Sequence, residues 1–196
     1  MTSNAERSAV TRGRLIAVAR ELFARDGFAA TGTEAILDGA GVRRGALYHH
    51  FEDKATLFEA VCFTFAEEAL PVVEAAASSA KDSRDSLVRG SIAWIGYVTR
   101  PDVRRILLVD APTVLGWERW DALDRRLSYH VLRDAVDTAL RDKAINFDGS
   151  PELLATMING ALNALALRVG APGTTVAPRT WHRAVRGLFC ALGSKD

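Results

Sequence analysis

Between Ala40 and Lys54 the chain reads AGVRRGALYHHFEDK, and the polar side chains of this run are those that meet nucleic acid. Arg43 and Arg44 carry forks that match O6 and N7 of guanine, while Tyr48, His49, His50 and Lys54 can donate to phosphate oxygens. Their spacing fits one short helix starting at Arg43. Leu47 and Phe51, at i and i+4, face inward and leave Arg44, Tyr48 and His49 on other faces. Just upstream, Thr33 to Ala40 (TEAILDGA) puts Ile36, Leu37 and Ala40 on one face of a two-turn helix. Gly41 then accepts the left-handed backbone without a Cβ penalty, and Val42 turns back onto the core. Two short helices joined this way make a helix-turn-helix, whose second helix enters a major groove. A hydroxyl at the start of the first of them adds a phosphate contact: Thr31 with Glu34 in capping-box spacing, or Thr33 as the cap. Adjacent His49 and His50 do not suggest a metal centre. On a helix they point about 100° apart, and no Cys or carboxylate has ligand spacing around them. No metal or other cofactor is expected.

The elements that must hold this run are helical throughout, since no segment alternates as a strand. A first helix over about 8–26 lines up Leu15, Ile16, Ala19, Leu22 and Phe23, and Gly27 ends it. Lys54 opens a longer helix whose Leu57, Phe58, Val61 and Phe65 close the first core. Pro71, clashing with the carbonyl of Glu67, is expected to kink or end that helix. A second region follows from about Ser79. Asp82 or Ser83 caps a helix with Val88, Ile92 and Ile95 on one side and Leu87, Trp94 and Val98 on another. Pro101 starts a shorter helix that Pro112 should stop. Beyond a break at Gly116, Leu127 to Ala139 forms an amphipathic stripe. Ser150-Pro151-Glu152 starts a helix running to Arg168, with Gly170 and Pro172 as stop signals. The last helix begins near Pro178. The expected fold class is all-α, with a three-helix domain over 1–53 and a larger helical domain over 54–196.

Apolar residues surround the 151–169 helix almost completely, so it must be covered on both sides. Leu154, Met157, Ala161, Leu162 and Leu165, with Trp181, Val185, Leu188 and Phe189 of the last helix, are therefore expected to form a seam with a second copy of the chain. Trp94, Tyr97, Trp117 and Trp120 suggest a pocket for a hydrophobic or aromatic small molecule. His130, Asn159 and Asn163, polar groups on largely apolar helices, need partners and are candidates for the same pocket.

Bulk charge says little about a nucleic-acid partner, because the formal net charge is only +1. Over 1–60 the eight Lys/Arg are balanced by eight Asp/Glu, so the case rests on where the donors sit. Cys62 and Cys190 lie in apolar patterns and are expected to be buried free thiols. The start MTSNAERS carries no apolar run, which points to the cytoplasm. The apolar stretch 153–169 is interrupted by Asn159, Asn163 and Arg168, so no membrane partner is expected.

The run AGVRRGALYHHFEDK, preceded by RGRLIAVARELFARDGFAATGTEAIL, resembles the DNA-binding region of the tetracycline-repressor-like (TetR) transcription regulators over about residues 10–60. The shared signs are LFARDGF closing the first helix, a Thr-rich approach to the second, and G-x-LYHHF followed by a Lys. The resemblance implies DNA contacts from Thr33, Arg43, Arg44, Gly45, Tyr48, His49, His50 and Lys54. It also implies a homodimer on a palindromic double-stranded operator, and a small effector in the larger domain that controls a repressor. Arg43 departs from the pattern, since Ser or Thr usually stands there to cap the recognition helix, a loss of roughly 1 kcal/mol. The competing readings are an all-helical enzyme and a helical adaptor that does not bind DNA. No Ser-His-Asp, Cys/His or Gly-rich phosphate motif favours the enzyme, and the donors of the recognition run disfavour the adaptor.

Overall fold

Helices are the only regular structure among the described residues, 3–125, 129–171, 173–174 and 176–193 of the computed structural model. They are α1 (Asn4–Asp26), α2 (Thr33–Ala40), α3 (Arg44–His50), α4 (Lys54–Ser78), α5 (Ser83–Val98), α6 (Pro101–Arg104), α7 (Ala111–Asp124), α8 (His130–Arg141), α9 (Pro151–Val169) and α10 (Pro178–Ala191). A π-helical turn, Arg105–Asp110, joins α6 to α7.

Side-chain caps fix the starts of α1, α4, α5 and α9. Ser3 Oγ accepts from the Glu6 N–H at 3.1 Å and Glu6 Oε2 accepts from the Ser3 N–H at 2.6 Å, so a capping box starts α1 at Asn4 rather than near Ser8. Asp82 caps α5 through the Asp85 N–H (2.7 Å), and Ser150 caps α9 through the Leu153 N–H (3.2 Å). Neither expected threonine caps α2. Its N-cap is Gly32, because the Thr31 hydroxyl is buried and donates back to the Gly27 carbonyl at 2.8 Å.

Neither Pro71 nor Pro112 ends a helix. α4 runs through Pro71 to Ser78. Glu67 and Pro71 are both exposed, so water can take the carbonyl that loses its N–H partner, and the helix survives. Pro112 does not stop a helix; it occupies the first turn of α7, where no N–H is needed. The wider π turn directly before it absorbs the change. The break at Gly116 is present, with φ 73° and ψ 166° inside α7. Leu127 and Pro172 lie outside the described residues.

One apolar core runs the length of the molecule. Leu15, Ala19 and Phe23 of α1 meet Ile36, Leu37, Leu47 and Phe51 of the next two helices, and Leu57, Phe58, Val61 and Phe65 of α4 close the group. The rings of Phe23 and Phe28 stand edge-on to Phe58, with centroids 5.2 and 5.1 Å away, an arrangement favoured by ring quadrupoles. α4 continues beneath α5, which α8, α9 and α10 also contact. Cys62 is buried in this core, and burial pushes its thiol pKa up. Cys190 is exposed, contrary to expectation, because it falls just off the buried Trp181–Val185–Phe189 stripe of α10.

Candidate functional site

The reading face is built on the turn between α2 and α3. Gly41 has φ 63° and ψ 37°, and the turn closes as the Val42 N–H donates to the Leu37 carbonyl at 3.1 Å. A side chain at Gly41 would be strained in that conformation. With Leu47 buried and Phe51 3 % exposed, α3 is anchored on one side. Arg43, Arg44, Gly45, Tyr48 and His49 are exposed on the other. Arg43 is the N-cap and makes no side-chain cap bond. The Arg44 guanidinium lies 3.6 Å from the Glu34 carboxylate and 5.5 Å from the centre of the Tyr48 ring. That ion pair is exposed and worth little, so a guanine edge can replace Glu34. Thr33 opens the uncapped, partly exposed N-terminus of α2, where backbone N–H groups can meet a phosphate. His50 is half-buried against His49 and Phe51. Burial first, then the charges of His49 and Arg12, lowers its pKa below the ordinary histidine value, so it stays neutral at pH 7.

Lys54, expected on this face, has partners of its own within the chain. Its ammonium donates to the carbonyls of Phe28 and Thr31, both at 2.9 Å, and sits 4.2 Å from the centre of the Phe28 ring. It is a strut tying the start of α4 to the α1–α2 loop, with two of its three donors committed.

In the larger part of the molecule, α4, α5, α8 and α9 enclose a cavity of about 70 Å³, lined by Leu70, Val73, Ser91, Trp94, Leu132 and Asn159 among others. A second chamber of about 30 Å³ lies between Trp94, Leu107, Leu108, Trp120, Asp124 and Asn163. Trp94 and Ala66 border both chambers. The cavity therefore gathers Trp94, Trp120, Asn159 and Asn163 from the expected set. Asn159 Nδ2 donates to Asp124 Oδ2 at 2.7 Å, and Trp120 Nε1 donates to the Leu107 carbonyl at 3.4 Å. Tyr97, Trp117 and His130 do not line it. The Tyr97 hydroxyl donates to Glu68 at 3.0 Å, Trp117 is 71 % exposed, and His130 is exposed. Ser91 was missed, although it stands three residues before Trp94 on one helix face.

Several contacts fasten the reading module to the cavity domain. Arg105 Nη1 and Nη2 donate to the carbonyls of Arg25 (3.1 Å) and Asp26 (2.8 Å), and Asp110 Oδ2 accepts from the Phe28 N–H at 3.1 Å. Gly27, with φ 87°, lies directly under the Arg105 guanidinium, where a Cβ would collide. Arg20 on α1 holds Glu68 on α4 with both guanidinium nitrogens, and Tyr97 on α5 adds the third contact. Arg20, with a smaller contribution from Tyr97, holds the Glu68 pKa below the ordinary carboxylate value against the opposing effect of burial. A depressed carboxylate contributes stability that is complete above its unfolded pKa and is lost as pH falls through its folded pKa. Glu68→Gln is therefore expected to be less stable than the parent at neutral pH, with the difference shrinking as pH drops below about 4.5. Urea midpoints measured from neutral pH down into that range check this; a difference independent of pH refutes it.

The expected intersubunit seam needs correction. Leu154, Leu162, Trp181, Val185 and Phe189 are all buried within the single chain, and Leu165 and Leu188 are partly buried. The five buried side chains pack the subunit's own core, while Leu165 and Leu188 keep part of their surface outside it. Met157 and Ala161 do face outward, with Leu153 and Leu167 beside them, and Met157 is 57 % exposed.

Comparison with known proteins accords with this geometry. Residues 15–61 match the description "Bacterial regulatory proteins, tetR family", and residues 84–192, more than half of the chain, match "Tetracyclin repressor-like, C-terminal domain". The crystal structure of a TetR-family transcriptional regulator from Pectobacterium atrosepticum superposes with a TM-score of 0.73 at 27 % identity, over 97 % of this chain and 93 % of that one. The HTH-type transcriptional repressor AcnR of Corynebacterium diphtheriae is 28 % identical over 85 % of this chain and 86 % of its own length. The HTH-type transcriptional repressor KstR2 of Rhodococcus jostii is 34 % identical over 39 % of this chain, a match that spans 37 % of that relative. With an exposed recognition helix at one end, a helical cavity domain at the other and family matches over both, the chain belongs to the tetracycline-repressor-like family of transcriptional regulators.

Proposed function

We propose that the chain is a ligand-responsive repressor that binds a palindromic operator in double-stranded DNA as a homodimer and resides in the cytoplasm. Members of its family are transcriptional regulators, and both curated relatives described above are named repressors. No described helix is long and apolar enough to cross a membrane. Thr33, Arg43, Arg44, Gly45, Tyr48 and His49 form the DNA contact set, and the boundary between the two domains falls at the 53/54 junction. The partner copy is expected on the outward face of α9, where Leu153, Met157 and Leu167 flank the small residues Gly160, Ala161 and Ala164. Small residues along a stripe let two helices approach closely.

The observation that carries the regulatory reading is the π turn. Its Leu107 and Leu108 line the inner chamber, while its Arg105 and Asp110 hold the end of α1 and the loop after it. A molecule entering the chamber presses on the same six-residue segment that orients the reading module. π turns are single-turn departures from α geometry that recur at functional sites, and a shift of this one would redirect the heads. A ligand acts only through its different affinity for the two arrangements, a coupling of about 1–3 kcal/mol in typical cases. Selection from random double-stranded DNA tests the reading. The enriched sites should be two-fold symmetric, with half-sites about 34 Å apart or a multiple of that. Enrichment of asymmetric sites, or none at all, would overturn it.

A further inference from the structure

Ser91 and Trp94 present two hydrogen-bond donors that the protein itself leaves without partners. Both line the cavity between α4, α5, α8 and α9, and Ser91 is 4 % exposed. Neither Ser91 Oγ nor Trp94 Nε1 has a hydrogen-bond partner. Several hydroxyls elsewhere in its helices fold back onto their own backbone, as in Thr99 to Ile95, Thr138 to Asp134 and Thr156 to Glu152, at 2.8–2.9 Å. The other cavity tryptophan, Trp120, also has a carbonyl partner. Ser91 and Trp94 stand three apart on α5 and so share a face. Buried polar groups require a partner, and this pair needs an acceptor that comes from outside the chain.

We propose that the effector is a neutral, mainly hydrocarbon molecule bearing a carbonyl oxygen, bound with that oxygen at Ser91 and Trp94. The assignment rests on the effector-cavity reading above and deepens it. A carbonyl oxygen has two lone pairs, one for each donor. Leu70, Val73, Leu132 and Leu162 supply the apolar walls for the rest of the molecule. Neutrality follows from the lining: among the described residues no Lys, Arg or His borders either chamber, so an anionic head would lose its hydration there with no cation to receive it. A fatty acid would bring its carboxylate there without a counter-charge.

Isothermal titration calorimetry on the full-length protein, without DNA, tests the proposal with three probes of equal chain length. They are methyl decyl ketone, the alkene in which CH2 replaces its carbonyl oxygen, and the corresponding carboxylate. The ketone should bind at least about tenfold more tightly than either, the range expected for one or two hydrogen bonds in a dry site. Ser91→Ala and Trp94→Phe should each remove most of that preference, read as the ratio of ketone to alkene affinity within each variant. Ser91→Ala deletes an unpartnered hydroxyl, so the free variant should melt no lower than the parent, which separates lost binding from lost folding. Equal affinity for ketone and alkene overturns the acceptor assignment, as does a ketone preference that survives both substitutions. Tightest binding of the carboxylate overturns the claim of neutrality. Absence of binding by all three refutes the ligand class. None of these results bears on DNA selection, so the effector inference can fail while the repressor reading stands.

Discussion

Met157→Glu should give a folded monomer that no longer holds operator DNA. Met157 lies 57 % exposed in the middle of the outward α9 stripe, so the isolated subunit loses almost nothing when the side chain changes. Exposed substitutions usually stay within about 0.5 kcal/mol. At a two-fold seam, however, the same change sets a carboxylate from each copy into an apolar contact, and burying unpaired charge costs several kcal/mol. Sedimentation at micromolar concentration should show dimer for the parent and monomer for the variant, with matching helical circular dichroism. Two linked heads benefit from a high effective concentration on paired half-sites, worth about 10²–10⁴ in affinity, so operator binding should fall by a similar factor. Leu162→Glu is the contrasting change. Leu162 is 3 % exposed and lies in the subunit's own core, so that variant should fail to fold rather than dissociate. A parent protein that sediments as a monomer, or a dimeric Met157→Glu, would remove this face from consideration.

That contrast also shows which parts of the molecule the sequence could reveal. α3 was legible because Leu47 and its C-cap Phe51, four residues apart, mark one inward side among polar neighbours, and Gly41 marks the turn without ambiguity. α9 was not, because a helix apolar nearly all round carries no phase. Leu154 and Met157 looked alike by spacing, yet only tertiary packing decides that the first turns in and the second out. In α10 the amphipathic stripe of Trp181, Val185 and Phe189 was clear, but its buried face is spent on the subunit's own core. The cavity illustrates a different limit. Aromatic type pointed equally to Trp94 and Trp117, although one lines both chambers and the other is exposed. The more informative Ser91 is a common residue whose significance appears only when its hydroxyl is seen to lack the usual backbone partner. The capping box of Ser3 and Glu6 was present in the spacing and went unread. The Arg105 and Asp110 contacts join residues about eighty positions apart, which no local pattern encodes.

Arg44 and Lys54 looked equivalent as DNA-contacting cations, and their substitutions should now separate. Arg44→Ala removes an exposed guanidinium whose ion-pair partner among the described residues is the exposed Glu34, so the melting temperature should stay unchanged. Its loss from a base edge costs about 1–3 kcal/mol per contact, or roughly 5–150-fold in each half-site, with relaxed preference at the position it reads. Because the dimer carries two copies, the losses combine on a symmetric operator. Lys54→Met leaves the Phe28 and Thr31 carbonyls without their donor. Hydrogen bonds to a charged group contribute about 1.5–3 kcal/mol, and partial exposure reduces this, so a destabilisation of about 1–2 kcal/mol is expected. DNA affinity should then fall on every sequence alike, through a loosened α1–α2 loop. The salt dependence distinguishes strut from phosphate contact. Each phosphate contact contributes about 0.9 to the slope of log affinity against log salt, so a Lys54 that touched phosphate would lower the slope by nearly two per dimer when replaced. As a strut it leaves the slope where it was. An unchanged melting temperature with a reduced slope would return Lys54 to the DNA-contacting set, and an Arg44→Ala protein with full affinity and unaltered base preference would take Arg44 out of it.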